Sequence, residues 1–170
     1  REAIESLQRS PVHLFQRPDA DYVEVDPTRT SLNGFGGNIQ AGKVGGKWNF
    51  MAFTYLKSPG FDLNDVGYLQ SADVVFAGLW SAYSFDKPFG IFRRIRPNSN
   101  LVSAWDFGGN HLQTNGNLSL NIQFKNLWWT NFGFSYRGES LSTTILRGGP
   151  AVITPSNLSW WFNIASSESR

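Results

Sequence analysis

The stretch NGNLSLNIQF, residues 115–124, alternates without a slip: Leu118, Leu120, Ile122 and Phe124 fall on one side, and Asn117, Ser119, Asn121 and Gln123 on the other. A period of two marks a β-strand with one apolar and one polar face. Two environments accept the apolar side chains, a protein core and the hydrocarbon of a membrane, and the class of function depends on which is present. The polar side carries amides and a hydroxyl but no charge, which suits a hydrated interior as well as open solvent.

Most of the chain reads in the same way. Ile4 and Leu7 have helical spacing in the first turns, and Ser10-Pro11 ends that stretch, because the residue before a proline avoids the helical region. From about Thr30 onward, short alternating runs are broken by Gly, Asn, Asp, Ser and Pro. A run from Gly34 to Ala41 leads to Gly45-Gly46, whose glycines can take the positive φ angles of a tight hairpin, and WNFMAFTYL resumes at Trp48. Residues 58–72 read as a long loop, and DVVFAGLWSAYSF reads as a strand of bilayer-crossing length, closed by Asp86-Lys87-Pro88. IFRRIR and LVSAWDF read as two further strands, followed by a loop from Gly108 to Gly116. NLSLNIQF then pairs with NLWWTNFGFSYRG about a turn near Lys125-Asn126, and LSWWFNIA is the last strand.

These runs predict an all-β chain: an antiparallel up-and-down meander forming a partial or complete barrel, with a β-sandwich as the alternative. Residues 1–29 are expected to be an N-terminal extension or linker with a short helix. Residues 30–170 are expected to be one antiparallel β-domain, part of a larger barrel. The chain opens on Arg1, and Met51 is its only methionine, so it reads as an internal fragment or a processed piece.

Composition narrows the function. Charged residues are 16% and aromatics 15%, where about 25% charged is usual for a soluble domain. Fifteen Lys and Arg against thirteen Asp and Glu leave a net charge of +2, spread along the chain, so no strong field attracts nucleic acid or acidic substrates. The absence of cysteine removes disulfide frameworks, thiolate zinc sites and cysteine nucleophiles. No apolar run reaches the roughly 18 residues of a spanning helix, a test that is blind to spanning strands.

Few residues suggest chemistry. His13 and His111 are the only histidines and lack ligand-spaced partners, no GxSxG turn occurs, and FGGN at 35–38 has no helix after it. Asp62, Asn64 and Asp65 place three oxygen-bearing side chains in one loop and form the candidate calcium site, and the alternating acids Asp19, Asp21, Glu24 and Asp26 offer a second, weaker set. Such side chains usually bond their own backbone in turns. Glycoside hydrolysis needs two carboxylates about 5 to 9.5 Å apart, and no spacing selects a pair among Asp62, Asp65, Asp73 and Asp106. Arg93, Arg94 and Arg96 in FRRIR fit phosphate binding, or more simply a rim strand at the water boundary. Trp80, Trp105, Trp128 and Trp160 are candidate platforms on which sugar rings could stack. Trp128-Trp129 and Trp160-Trp161 are expected near strand starts, where an aromatic girdle would lie.

SPVHLFQRPDADYVEVD (10–26), SPGFDLNDVGYLQSADVVFAGLW (58–80), and LRGGP (146–150) followed by a Trp strand and SSESR (166–170) together resemble one family in order and spacing. It is a large uncharacterised family of Gram-negative envelope proteins. In it, a module similar to family-nine carbohydrate-binding modules precedes a β-rich region taken to be an outer-membrane barrel. The resemblance covers nearly the whole chain and implies architecture and location, with no assigned reaction and therefore no catalytic residues. The expectation is a non-enzymatic outer-membrane section serving uptake, export or surface glycan handling, in contact with outer-membrane lipid. A glycan is the candidate ligand, nucleic acid is not, and open sheet edges would allow self-association. A soluble carbohydrate-binding β-sandwich and a glycoside-processing enzyme are the alternatives.

Overall fold

In the computed structural model, which describes residues 2–63 and 69–166, the alternating runs become strands. Helix α1 spans Glu2–Arg9 and stops before Ser10-Pro11 as expected. The strands are β1 (Gly36–Lys43), β2 (Trp48–Lys57), β3 (Val74–Tyr83), β4 (Phe92–Trp105), β5 (His111–Phe124), β6 (Trp129–Arg137), β7 (Ser140–Ser142), β8 (Val152–Thr154) and β9 (Asn157–Ala165). Seven of them form one sheet in the order β1-β2-β3-β4-β5-β6-β9, and β7 pairs only with β8. Every neighbouring pair is antiparallel. The sheet is an up-and-down meander that does not close, since β1 and β9 are its two edges.

The β1–β2 hairpin turns where its glycines allow it. Gly45 and Gly46 sit at φ 134° and 69°, and the Asn49 side chain accepts a hydrogen bond from the Gly45 N–H at 2.5 Å. Three expectations are corrected. IFRRIR and LVSAWDF are one continuous strand, β4, that runs through Pro97. Ile95 bonds Phe85 on the β3 side, so Pro97, two residues on, turns its missing donor to the same side. There it lies opposite Tyr83, in the gap between the Ala82↔Asn98 pair and the Phe85↔Ile95 bridge, so the β3 ladder is interrupted at the proline while Pro97↔Leu120 keeps β4 paired with β5. Residues 111–116 are not loop but the first part of β5; their Gln, Thr and Asn look like loop composition because half of this strand faces a polar surface. Trp160 and Trp161 are in the middle of β9, opposite Phe134 and Gly133, and not at a strand start.

Residues opposite each other in the ladders share a face, so the registers sort the sheet. One row reads Phe50, Ser81, Ser99, Leu118, Phe134, Trp160; the next reads Met51, Trp80, Asn100, Asn117, Ser135, Ser159. The first belongs to an apolar face and the second to a polar one. Except for Trp129, every exposed large apolar side chain of the seven strands lies on the apolar face, from Tyr83 at 38% exposed to Trp160 at 79%. Apart from Arg94, which is exposed, the polar-face residues of β3, β4 and β5 are half-buried or buried, so the sheet curls around that side.

Within the sheet the buried apolar side chains are Ala82, Ala104 and Ile122, and the others lie outside it. Leu14, Phe15, Ala20, Leu69 and Ala72 pack together at the end where the chain enters β1, in a cap made by the N-terminal segment and the β2–β3 loop. Gln8, fully buried, ties α1 to Asp26 through both its amide atoms. His13 bonds Ser10 and the Phe61 carbonyl, and Asp19 accepts from the Ala151 N–H. The first residues therefore bridge the β2–β3 and β6–β9 connections at one end of the sheet. At the other end the connections are short: 44–47, 84–91 and 125–128.

Candidate functional site

The polar face is where the strands assemble chemistry. On β4, Arg94, Arg96, Asn98 and Asn100 alternate with Ile95, Pro97, Ser99 and Leu101, so both arginines and both amides reach one side. Across the sheet they meet Trp80 on β3, Asn117 and Asn121 on β5, and Asn131 on β6. The amides form a ladder: Asn100 donates to Asn117 at 3.0 Å, and Asn131 donates to Asn121 at 2.8 Å. The Trp161 indole N–H completes it by donating to Asn131 at 2.6 Å. Glycine makes room for rings on this face. A Cβ on Gly133 would come within 2.4 Å of the Trp161 ring, and one on Gly78 within 2.3 Å of Phe53.

A cavity of about 340 Å³ opens on this face near the short turns, lined by Trp80, Arg94, Arg96, Asn98, Asn121 and Trp129. The Arg96 guanidinium lies 5.8 Å from the centroid of the Trp80 ring. Arg94 pairs with Asp86 at 2.7 Å, both about half exposed, a pair that contributes little to stability. The β3 side of the face is more apolar, with Tyr55 stacked on Phe76 at 4.6 Å between centroids. A second cavity, about 440 Å³, lies at the capped end between polar-face residues such as Lys57, Gln113 and Arg137 and the β7–β8 hairpin.

The four tryptophans expected to bind sugar do not form one platform. Trp80 lies on the polar face beside Arg96, while Trp105 and Trp160 lie on the apolar face and Trp128 in the β5–β6 turn. Period-two alternation separates them. The residues that do join Trp80 are Trp129, Asn98 and Asn121, together with the Arg94 and Arg96 of FRRIR. Anchoring β4 and β5 as single strands and reading their odd and even positions would have found them.

Of the candidate calcium ligands, Asn64 and Asp65 lie outside the described residues. Among the described residues no group of three or more His, Asp or Glu side chains is placed to hold a metal. Asp19, Asp26 and Asp106 have structural partners. Asp26 accepts from the Thr28 N–H and hydroxyl, and Asp106 from both nitrogens of Asn110.

Asp73 is the centre of the cap. It accepts from Arg17 Nη2 and from the Tyr22 hydroxyl, each at 2.5 Å, and from the Phe107 N–H at 3.0 Å. It does so from a left-handed backbone conformation, φ 55°. The ion-pair side chains are 4% and 6% exposed. Burial alone would lower the Arg17 pKa, but Tyr22 and Asp73 outweigh it and hold the guanidinium above its ordinary value. Burial, the hydrogen bond to Asp73 and the charge of Asp73 together raise the Tyr22 phenol well above the usual tyrosine range. This cluster joins three segments distant in sequence and leaves Asp73 no free oxygen for chemistry.

The chain matches no curated protein and no solved structure. A family model described as "Domain of unknown function (DUF5916)" matches residues 13–170, a span that takes in the whole sheet, the polar-face cavity and the cap from His13 onward. The chain belongs to that uncharacterised family.

Proposed function

We propose that the sheet is a section of a transmembrane β-barrel in the outer membrane of a Gram-negative envelope. Its apolar face meets lipid and its polar face lines a hydrated interior. The role is non-enzymatic, in uptake, export or surface glycan handling. The observation that carries this reading is the sorting of large exposed apolar side chains onto one face while the amides and Arg96 occupy the other, half-buried over β3, β4 and β5, the reverse of a water-soluble sheet.

Three further features support it. The main strands run from 8 to 14 residues, and about 9 to 11 tilted residues cross a bilayer. The two longest connections, 58–73 and 138–156, lie at the capped end, in keeping with the usual asymmetry of outer-membrane barrels, although the β4–β5 turn 106–110 at that end is short. Trp48, Tyr83, Trp128 and Trp129 gather at the short-turn end, where an interfacial girdle would lie. A furrow of about 370 Å³ on the apolar face, over the small Ser81 and Ser99 and between Leu118, Phe132 and Phe134, has the chemistry to seat an acyl chain. No helix among the described residues is long and apolar enough to span a membrane, which bears on helical proteins only.

Unpaired edge groups cost several kcal/mol each in hydrocarbon, so further strands must flank β1 and β9, from the same chain or from another copy. A soluble glycan-binding sandwich would need a second layer over the apolar face, and no strand or helix among the described residues provides one. The test is the solution state of the protein with and without detergent. Monodisperse behaviour only in detergent or lipid, with conductance in planar bilayers, is expected. A stable monomer in plain buffer would overturn the proposal.

A further inference from the structure

We infer that the cavity formed by Trp80, Arg94, Arg96, Asn98, Asn121 and Trp129 is a binding site for an acidic sugar, one whose ring carries a carboxylate or sulfate. The inference rests on the polar face lining a hydrated interior, as proposed above, and it names what that interior recognises.

Charge is the first argument. The seven strands of the sheet contain no Asp or Glu at all, whereas Lys57, Arg94, Arg96 and Arg137 reach the polar face. Rings of Lys and Arg favour anions in a pore. Arg96 is the cation best placed to act, since among the described residues no carboxylate pairs with it and its guanidinium is held against Trp80. A planar fork positioned in this way can bind an oxyanion through two parallel hydrogen bonds.

The remaining wall fits a sugar ring better than a bare anion. Trp129, 40% exposed, is the single large exposed apolar side chain on the polar face of the described sheet, and it borders the cavity. Asn121 is oriented by Asn131, which donates to its Oδ1, while its own NH₂ has only a 3.5 Å contact to the Arg96 carbonyl. The Asn98 NH₂ is likewise at 3.5 Å from that carbonyl. Both amides thus keep hydrogen-bonding capacity for hydroxyls. The cavity volume of about 340 Å³ lies at the lower end of small-molecule sites, about 300 to 1,000 Å³.

The test is calorimetry on the intact protein in detergent, with three probes: a trimer of galacturonic acid, a neutral galactose trimer, and sodium sulfate. The acidic trimer is expected to bind at least about tenfold more tightly than either of the others, because a hydrogen bond to a charged group is worth about that factor. Arg96→Gln should remove the preference for the acidic trimer, Arg96→Lys should restore part of it, and Trp129→Ala should weaken both trimers. Circular dichroism checks that each variant is folded. Equal binding of the two trimers, sulfate binding as tight as the acidic trimer, or an unchanged Arg96→Gln profile would each overturn the inference. Binding in detergent does not require insertion, so its failure is distinct from failure of the barrel reading, which conductance reports separately.

Discussion

Leu118→Arg separates the two environments that the apolar face could meet. Leu118 is the eighth of fourteen residues in β5 and is 51% exposed. At about 3.4 Å per residue the strand is roughly 44 Å long, and a tilt of about 40° leaves about 34 Å along the membrane normal. Leu118 then falls near mid-bilayer, where arginine costs about 2–4 kcal/mol. In water, the substitution would lose only the buried half of a leucine, about 1 kcal/mol, and the arginine stem would recover part of that. Ile164→Arg, next to the last residue of β9 on the same face and near the short-turn end, is the depth control, with an expected cost of about 0–1 kcal/mol in lipid. The assay is reversible urea unfolding of the intact protein in phospholipid vesicles, followed by tryptophan fluorescence. Equal costs at the two positions, both within about 1 kcal/mol, would refute the lipid-facing assignment.

Other predictions concern the cap and the packing of the polar face. Asp73→Asn keeps a residue that tolerates positive φ but leaves Arg17 buried without its counter-ion, and should destabilise the cap by about 3–5 kcal/mol; limited proteolysis should nick residues 1–35 while the sheet signal in circular dichroism persists. The folded pKa of Tyr22 lies above the unfolded value of about 10, so its contribution is whole below about pH 10 and is lost as the pH rises toward the folded value. Protease resistance of the cap should fall above about pH 10, and Tyr22→Phe should flatten that dependence. Gly133→Ala drives a methyl into the Trp161 ring and the Leu118 carbonyl, and should cost about 1–3 kcal/mol, read as a lower urea midpoint.

Local rules made the hairpin at Gly45-Gly46, the end of α1 and the β5–β6 pair legible in the sequence, because each depends on residues a few positions apart. Pro97 misled because a proline normally argues against a paired strand, and only the register shows that it interrupts the β3 ladder alone and leaves the pairing with β5 intact. Residues 111–116 misled for a different reason: a strand facing a polar surface has the same composition as a loop. The cap was not legible at all, since Arg17, Tyr22 and Asp73 meet across 51 to 56 residues of sequence. Single tryptophans said little about a site, because adjacent positions on a strand face opposite sides and only the register shows which residues share a surface.

The most direct test of the central claim uses neighbouring positions on opposite faces. The chain has no cysteine, so single substitutions Leu118→Cys, Ser119→Cys, Leu120→Cys and Asn121→Cys can each carry a nitroxide in the membrane-reconstituted protein. Electron paramagnetic resonance then compares accessibility to oxygen, which partitions into lipid, with accessibility to a water-soluble nickel chelate. The account predicts alternation, with labels at 118 and 120 relaxed by oxygen and labels at 119 and 121 by the chelate. Four labels with the same accessibility, or the opposite alternation, would contradict it.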